Sequence, residues 1–277
     1  MTGGMASTLV SDLLATIVAA TRCTTEARSR RTPIDRVERQ VTRRPQGLAF
    51  REALRVSPAP RVIAECKRRS PSKGILRRDY EPAAHAAAYA EAGAIAISVL
   101  TEPTFFDGSL AHLAQVRAAV EVPLLRKDFI VTEYQLVEAA AFGADAVLLI
   151  VGALDERELR TLLAGARVLG LAALVEVHDL AELARAVDSG ADVIGVNSRN
   201  LRTLTVDGNV LEQVAQAIPS SVTAVAESGI RTPADIARLS DAGYRAFLVG
   251  ERLITEPDPG AALRALRTRG RPGADPD

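Results

Sequence analysis

The chain reads as an α/β protein of the (β/α)8 TIM-barrel class carrying an N-terminal helical extension. Three observations lead there. A joint of helix tail, glycine and apolar run recurs in "EAGAIAISVL" (91–100), "AFGADAVLLI" (141–150), "DSGADVIGVN" (188–197) and "DAGYRAFLVG" (241–250), as expected where a glycine caps a helix that feeds a strand. The joint glycines 93, 143, 190 and 243 lie far enough apart for two strand–helix units between neighbours. The core must be aliphatic, because 48% of residues are hydrophobic but only 4% aromatic, with no Trp; such a core suits helices packed on a parallel sheet.

Residues 1–60 form the extension, with apolar positions 9, 10, 13, 14, 17 and 18 marking an amphipathic helix and a second helix over 46–55. The barrel then occupies 61–270, with strands expected near 61–67, 94–100, 122–127, 145–151, 171–177, 191–197, 222–227 and 245–249. Between them run helix-like stretches such as "EPAAHAAAYAEAG", "TEYQLVEAAAFG", "DERELRTLLAGARVLG" and "TPADIARLSDAG", and "DPGAALRALRTRG" closes the series. Asp, Thr, Ser or Pro commonly opens them, as helix N-termini prefer. Residues 271–277, "RPGADPD", read as a frayed tail. Eight regular units favour a closed barrel over a doubly wound sheet, which would be expected to show a Gly-x-Gly-x-x-Gly turn.

Acidic and basic residues balance at 34 each, so no global field favours nucleic acid or an acidic membrane, and any anion preference must be local. Cys23 and Cys66 make no disulfide framework and have no metal-ligand neighbours at useful spacing. The N-terminus lacks a basic region before its apolar run, and Asp12 interrupts that run, unlike a signal peptide or membrane span. A cytoplasmic monomer with no metal and no cofactor is the expectation.

Strand "VIAECK" (62–67) carries a Glu and a Lys where an apolar run is expected. Side chains alternate along a strand, so Ile63, Glu65 and Lys67 share the face opposite Val62, Ala64 and Cys66. In a closed barrel that face turns inward, and its C-terminal end opens into the mouth where barrel active sites lie. The same break in apolar patterning places Lys127, Glu176, Asn197 and Glu227 at the ends of four further strands. One such residue is ordinarily just solvated; six converging on one mouth indicate a functional cluster. Being at the rim, Lys127 is expected to carry little packing. His178, after the Glu176 strand, reads first as a surface-loop histidine, with support of the site residues from behind as its alternative. Ser228 and Gly229 follow strand 7 and Gly250 follows strand 8, where barrels bind phosphate through backbone N–H groups. Glu251 would have to turn its side chain away from such a phosphate.

"IAECKRRSPSKG", "ISVLTEPTFFDGSL", "LRKDFIVTEYQ", "ALVEVH", "IGVNSRNL", "AESGI" and "LVGERL" occur in order from residue 62 to 254. In that order and spacing they resemble the indole-3-glycerol phosphate synthase family of tryptophan biosynthesis. Cys66 departs from the aliphatic or aromatic residue more usual there, on the face turned to the helices, and the Arg-rich "TRCTTEARSRR" matches poorly. The resemblance implies a carboxy-lyase that closes 1-(2-carboxyphenylamino)-1-deoxyribulose 5-phosphate to indole-3-glycerol phosphate, releasing carbon dioxide and water. It implies Lys127 as the acid for the ring-closing step, with Lys67, Glu65 and Glu176 as candidates for the dehydration. Asn197 and Glu227 would hold substrate hydroxyls or position the other groups. Phe129, on the parity of Lys127, is a candidate to pack on the substrate ring, with core packing as its alternative. Ser70 and Arg199 are further candidate contacts, Arg199 to a carboxylate, with holding the loop after strand 6 as its alternative.

Three rivals are weighed against this reading. A Schiff-base aldolase needs a lysine of depressed pKa, which neighbouring Glu65 and Glu176 oppose. Phosphoribosylanthranilate isomerase needs one acid–base pair and fits the two-lysine, three-glutamate rim less well. A catalytically silent phosphate-binding barrel would need no acids at the rim.

Overall fold

A computed structural model describes residues 12–268. Three helices precede the barrel: α1 (Leu13–Arg31), α2 (Ile34–Glu38) and α3 (Gly47–Val56). Eight strands follow, β1 (Val62–Cys66), β2 (Ala96–Leu100), β3 (Leu124–Lys127), β4 (Ala146–Ile150), β5 (Ala172–Val177), β6 (Val193–Asn197), β7 (Thr223–Glu227) and β8 (Ala246–Val249). All neighbours are parallel and β8 pairs back to β1, which closes the barrel. The strands alternate with α4 (Pro82–Glu91), α5 (Leu110–Ala119), α6 (Glu133–Ala141), α7 (Glu156–Leu169), α8 (Leu180–Asp188), α9 (Asn209–Ala215) and α10 (Pro233–Asp241). The short α11 (Glu251–Ile254) and then α12 (Pro259–Arg267) follow β8. The fold is a (β/α)8 TIM barrel.

Local chemistry sets these boundaries. The four joint glycines all have positive φ, from 79° at Gly190 to 110° at Gly243, which is the conformation that lets a helix stop and a strand begin within two or three residues. Capping boxes open α6 (Thr132 with Gln135), α7 (Asp155 with Glu158) and α10 (Thr232 with Asp235), each satisfying N–H groups that the first helical turn leaves free.

The apolar residues form two main layers. Outward strand residues such as Val62, Ala64 and Cys66 pack with the helices in the larger cluster. Inward residues Ile63, Leu125, Leu148, Leu174, Val225 and Leu248 form a second cluster inside the barrel, joined by Phe50 and Leu54 of α3. Gly47 opens α3 directly against the start of β5, its N–H donating to Gly170 O at 3.0 Å. A side chain at Gly47 would overlap the Leu171 backbone, so this glycine lets α3 lie close to the barrel's N-terminal end.

The apolar stripe at positions 9–18 underestimates α1, which begins at its Asp12 cap and runs through "TRCTTEARSRR" to Arg31. Positions 9 and 10, and the tail 271–277, lie outside the described residues. The arginines explain the length. Arg22 pairs with Glu158 of α7 at 2.8 Å, Arg28 with Glu138 of α6 at 2.8 Å, and Arg43, beyond α2, with buried Asp145 at 2.6 Å. The Arg-rich stretch fastens the extension to the barrel.

Candidate active site

Strand register sets the rim. Asn197 pairs across the sheet with Glu227, Ile150 with Glu176 and Leu100 with Lys127, so the polar ends of β3, β5, β6 and β7 converge on one mouth. The twelve candidate catalytic and binding residues all line a single cavity of about 290 Å³: Glu65, Lys67, Ser70, Lys127, Phe129, Glu176, Asn197, Arg199, Glu227, Ser228, Gly229 and Gly250. Leu148, Ile150 and Leu248 supply apolar lining, and Phe106 packs beside Phe129 with ring centroids 6.0 Å apart.

The two lysines sit in different electrostatic settings. Lys127 Nζ lies 2.7 Å from Glu176 Oε2 and 3.2 Å from Glu227 Oε2. Lys67 Nζ lies 2.7 Å from Glu65 Oε1. Burial alone would lower the Lys127 pKa, but Glu176, Glu227 and Glu65 outweigh it and hold the ammonium well above the ordinary lysine value. Burial alone would raise Glu176, yet Lys127 and His178 hold it below the carboxylate range. Glu227 goes the other way. Its burial and the Glu176 charge beside it push its pKa up, against the pull of Lys127. Two buried carboxylates sharing one ammonium cannot both ionise with equal ease.

The expectation that Lys127 carries little packing fails for this reason. Its side chain is 13% exposed and is the cation between carboxylates exposed by only 1% and 2%, so removing it leaves buried negative charge uncompensated.

Small residues make room for the carboxylates. A side chain at Gly195, inward on β6, would overlap Glu227 Oε1, and one at Gly250 would overlap Glu65 Oε1. Gly250 thus shapes the acid–base end of the cavity as well as the loop after β8. Asn197 is fixed by what it accepts: Arg199 N–H donates to its Oδ1 at 3.0 Å and Ser228 Oγ at 2.8 Å. A backbone N–H can only donate, so Nδ2 is the atom left free as a donor.

Ser228 and Gly229 both have positive φ, 67° and 74°. A serine in this conformation is strained and marks a turn held for a purpose. Ser70 is buried and its Oγ has no hydrogen-bond partner among the described residues. Glu251 lines the same cavity and pairs with Lys73 Nζ at 2.5 Å, with Arg199 Nη2 at 3.9 Å. Arg199 also donates to Leu204 O at 3.2 Å and reaches Ser72 Oγ at 3.4 Å, which ties the loop after β6 to the loop after β1.

Sequence reasoning missed two contributors and ranked a third, His178, as a surface residue first. Phe106 lies within a quoted motif, "ISVLTEPTFFDGSL", but nothing local separates it from Phe105. Gly195 looks like an ordinary strand glycine. His178 is mostly buried, with its ring between Glu176 and Glu182; its i+2 spacing from Glu176 was the available signal. Among the described residues no three His, Cys, Asp or Glu side chains are grouped to hold a metal ion.

The chain is similar to known proteins in sequence and in fold. The family model described as indole-3-glycerol phosphate synthase matches residues 14–266. An indole-3-glycerol phosphate synthase of Parafrankia sp. is 49% identical over 256 residues, 92% of this chain and 94% of its own. That of Streptomyces griseus is 50% identical over 254 residues, again 92% and 94%. Among solved structures, 3-hexulose-6-phosphate synthase superposes with a TM-score of 0.60 at 16% identity, covering 75% of this chain and 98% of its own. Thiamine phosphate pyrophosphorylase from Pyrococcus furiosus gives 0.59 at 18% identity, covering 79% and 96%. At such identities the structural likeness concerns the barrel alone.

Proposed function

The chain belongs to the indole-3-glycerol phosphate synthase family, and from that premise we propose how its rim residues divide the reaction. The family's activity is the carboxy-lyase ring closure of 1-(2-carboxyphenylamino)-1-deoxyribulose 5-phosphate in tryptophan biosynthesis. The observation that carries the assignment is Lys127, held between Glu176 and Glu227 in the mouth of the barrel.

In the first step the ring carbon bearing the carboxylate attacks the ribulose carbonyl carbon. The carbonyl oxygen gathers negative charge, and Lys127 supplies its proton. A lysine so firmly protonated is a poor acid towards water but a competent one towards an alkoxide. Carbon dioxide then leaves, and its bonding pair restores the aromatic ring. Dehydration follows: the new hydroxyl departs as water with a proton from Lys67, and a neighbouring C–H proton passes to a rim carboxylate, Glu65 or Glu176. No step calls for a cofactor. Asn197 Nδ2 and Glu227 bind the chain hydroxyls. Phe129 and Phe106 pack on the substrate ring, and Arg199 meets its carboxylate. The backbone of Ser228, Gly229 and Gly250 receives the phosphate, with Ser70 above it in the loop after β1.

The partner is thus a small phosphorylated substrate, with no role for nucleic acid or a membrane. No helix among the described residues is long and apolar enough to cross a membrane. A monomer fits the exposed apolar side chains, which are dispersed over α2, α3, α7, α8 and two loops rather than gathered in one patch. A cytoplasmic setting fits two unpaired cysteines, one exposed and one buried.

The Schiff-base alternative is tested by borohydride added during turnover. Acid–base lysines never bond to the substrate, so protein mass should be unchanged and activity retained. An aldolase lysine would be trapped as a secondary amine, and a mass adduct on Lys127 or Lys67 would remove this mechanism.

A further inference from the structure

His178 is the first residue beyond β5 and follows the parity of Leu174 and Glu176, so its ring continues the inward row. The charged groups facing it, among the described residues, are Glu176 of β5 and Glu182 of α8. Nδ1 lies 3.0 Å from Glu182 Oε2, and Nε2 lies 3.4 Å from Glu176 Oε1. Glu182 is itself anchored. Its backbone N–H donates to the α8 cap Asp179, and its Oε2 also accepts the His178 backbone N–H at 2.9 Å. It therefore has little freedom to follow the ring.

An ionised carboxylate can only accept. Nδ1 must then carry a proton to make its contact with Glu182. A neutral ring would leave Nε2 bare, with its lone pair aimed at the Oε1 of Glu176, two acceptors facing each other. A doubly protonated ring makes both contacts attractive. Glu176 Oε1 and His178 Nε2 are both buried with no hydrogen-bond partner among the described residues; at 3.4 Å they make a charge contact, and each is the nearest complement the other has.

We propose that His178 is a positioning residue for the reaction: an imidazolium, clamped by Glu182, that holds the outer oxygen of Glu176 and so aims the inner oxygen at Lys127. The relay runs Glu182, His178, Glu176, Lys127, from the surface of α8 to the acid in the barrel mouth. The electrostatics agree. Burial by itself would lower the His178 pKa, but hydrogen bonding and charge from Glu176 and Glu182 outweigh it and raise it to about 10. His178 is absent from the cavity lining, so it acts on substrate through Glu176 alone. This rests on the assignment of Lys127 and Glu176 to the reaction, and the first test below is independent of that assignment.

The chain has three histidines, so nitrogen-15 spectra of histidine-labelled protein are simple, and loss of one set in His178→Gln identifies the residue. At pH 8 both His178 ring nitrogens are expected in the imidazolium range, titrating only above that pH. A neutral tautomer at pH 8 would overturn the proposal whatever the enzyme's activity. The second test is kinetic. His178→Ala is expected to lower kcat about tenfold or more, change KM less than about threefold, and move the acidic limb of the kcat profile upward by about one pH unit, since Glu176 loses a cation. His178→Gln, whose amide can still donate to Glu176, should recover part of kcat and shift the limb less. Unchanged kcat in the alanine variant, or a loss of kcat with an unmoved limb and no glutamine rescue, would reduce His178 to a structural role.

Discussion

At the scale of single residues, the proposed chemistry and the electrostatics of the rim both depend on one ammonium. Lys127 satisfies two buried carboxylates, so Lys127→Met removes both the acid and their common counter-charge. Turnover is expected to fall about a thousandfold or more, the range of a general acid. The melting temperature should fall too, and in a pH-dependent way. A carboxyl whose folded-state pKa is raised contributes stability that is present below its unfolded value and lost as pH rises through the folded one. Glu227 is already raised to about 8 with Lys127 in place. Without that cation the penalty deepens, so the variant should lose most stability relative to wild type near pH 8 and recover towards pH 5. Calorimetry across that range is the check; a pH-independent difference would contradict the shared-cation reading. Gly195→Ala probes the same carboxylate sterically. Its new methyl group would overlap Glu227 Oε1, and kcat is expected to drop by on the order of a hundredfold, as for other misplacements near one ångström.

At the scale of elements, the proposed function has the loops after β1, β6, β7 and β8 bind substrate while the strand ends react. Inorganic phosphate is expected to compete with substrate. Gly229→Val, forcing a β-branched residue to a φ of 74°, should raise both the inhibition constant and KM more than it lowers kcat, because the turn is remote from the reacting carbons. Noncompetitive inhibition by phosphate would place the anion elsewhere. The elements also show where a sequence stops being legible. The polar strand ends could be read directly, because Glu65, Lys127, Glu176 and Glu227 all interrupt apolar alternation on the inward face, and their convergence on one mouth outweighs the solvated reading of each alone. The role of the arginines of α1 could not, since their partners lie 110 to 136 residues away in Arg28–Glu138 and Arg22–Glu158 and no local pattern announces them. His178 is the opposite case: its partners Glu176 and Glu182 lie only two and four residues away, so the signal is local, but a histidine just past a strand end reads equally well as a solvated loop residue. Arg28→Ala should leave kcat nearly unchanged but lower stability by about 1–2 kcal/mol, the worth of a charge-assisted hydrogen-bonded pair, seen as a fall of a few degrees in melting temperature.

At the scale of the whole molecule, closure of the barrel is what turns scattered charges into a site. Residues from 65 to 250 meet around one cavity because eight short strands are held in a fixed register by an aliphatic core, with α3 seated at one end and α1 lying against α6 and the turn Val151–Ala153. The chain's net charge of zero leaves selectivity for an anionic substrate to that cavity alone. The most direct test of the central claim, that this rim closes the indole ring with Lys127 as its acid, is the fluorescence of indole-3-glycerol phosphate formed from 1-(2-carboxyphenylamino)-1-deoxyribulose 5-phosphate. It should be measured for the wild-type protein and for Lys127→Met at pH 6, where circular dichroism can show both to be folded. The expected result is steady product formation by the wild type, unaffected by EDTA, and about a thousandfold less by the variant. A folded Lys127→Met protein within tenfold of wild type, or a wild type that forms no indole product, would contradict it.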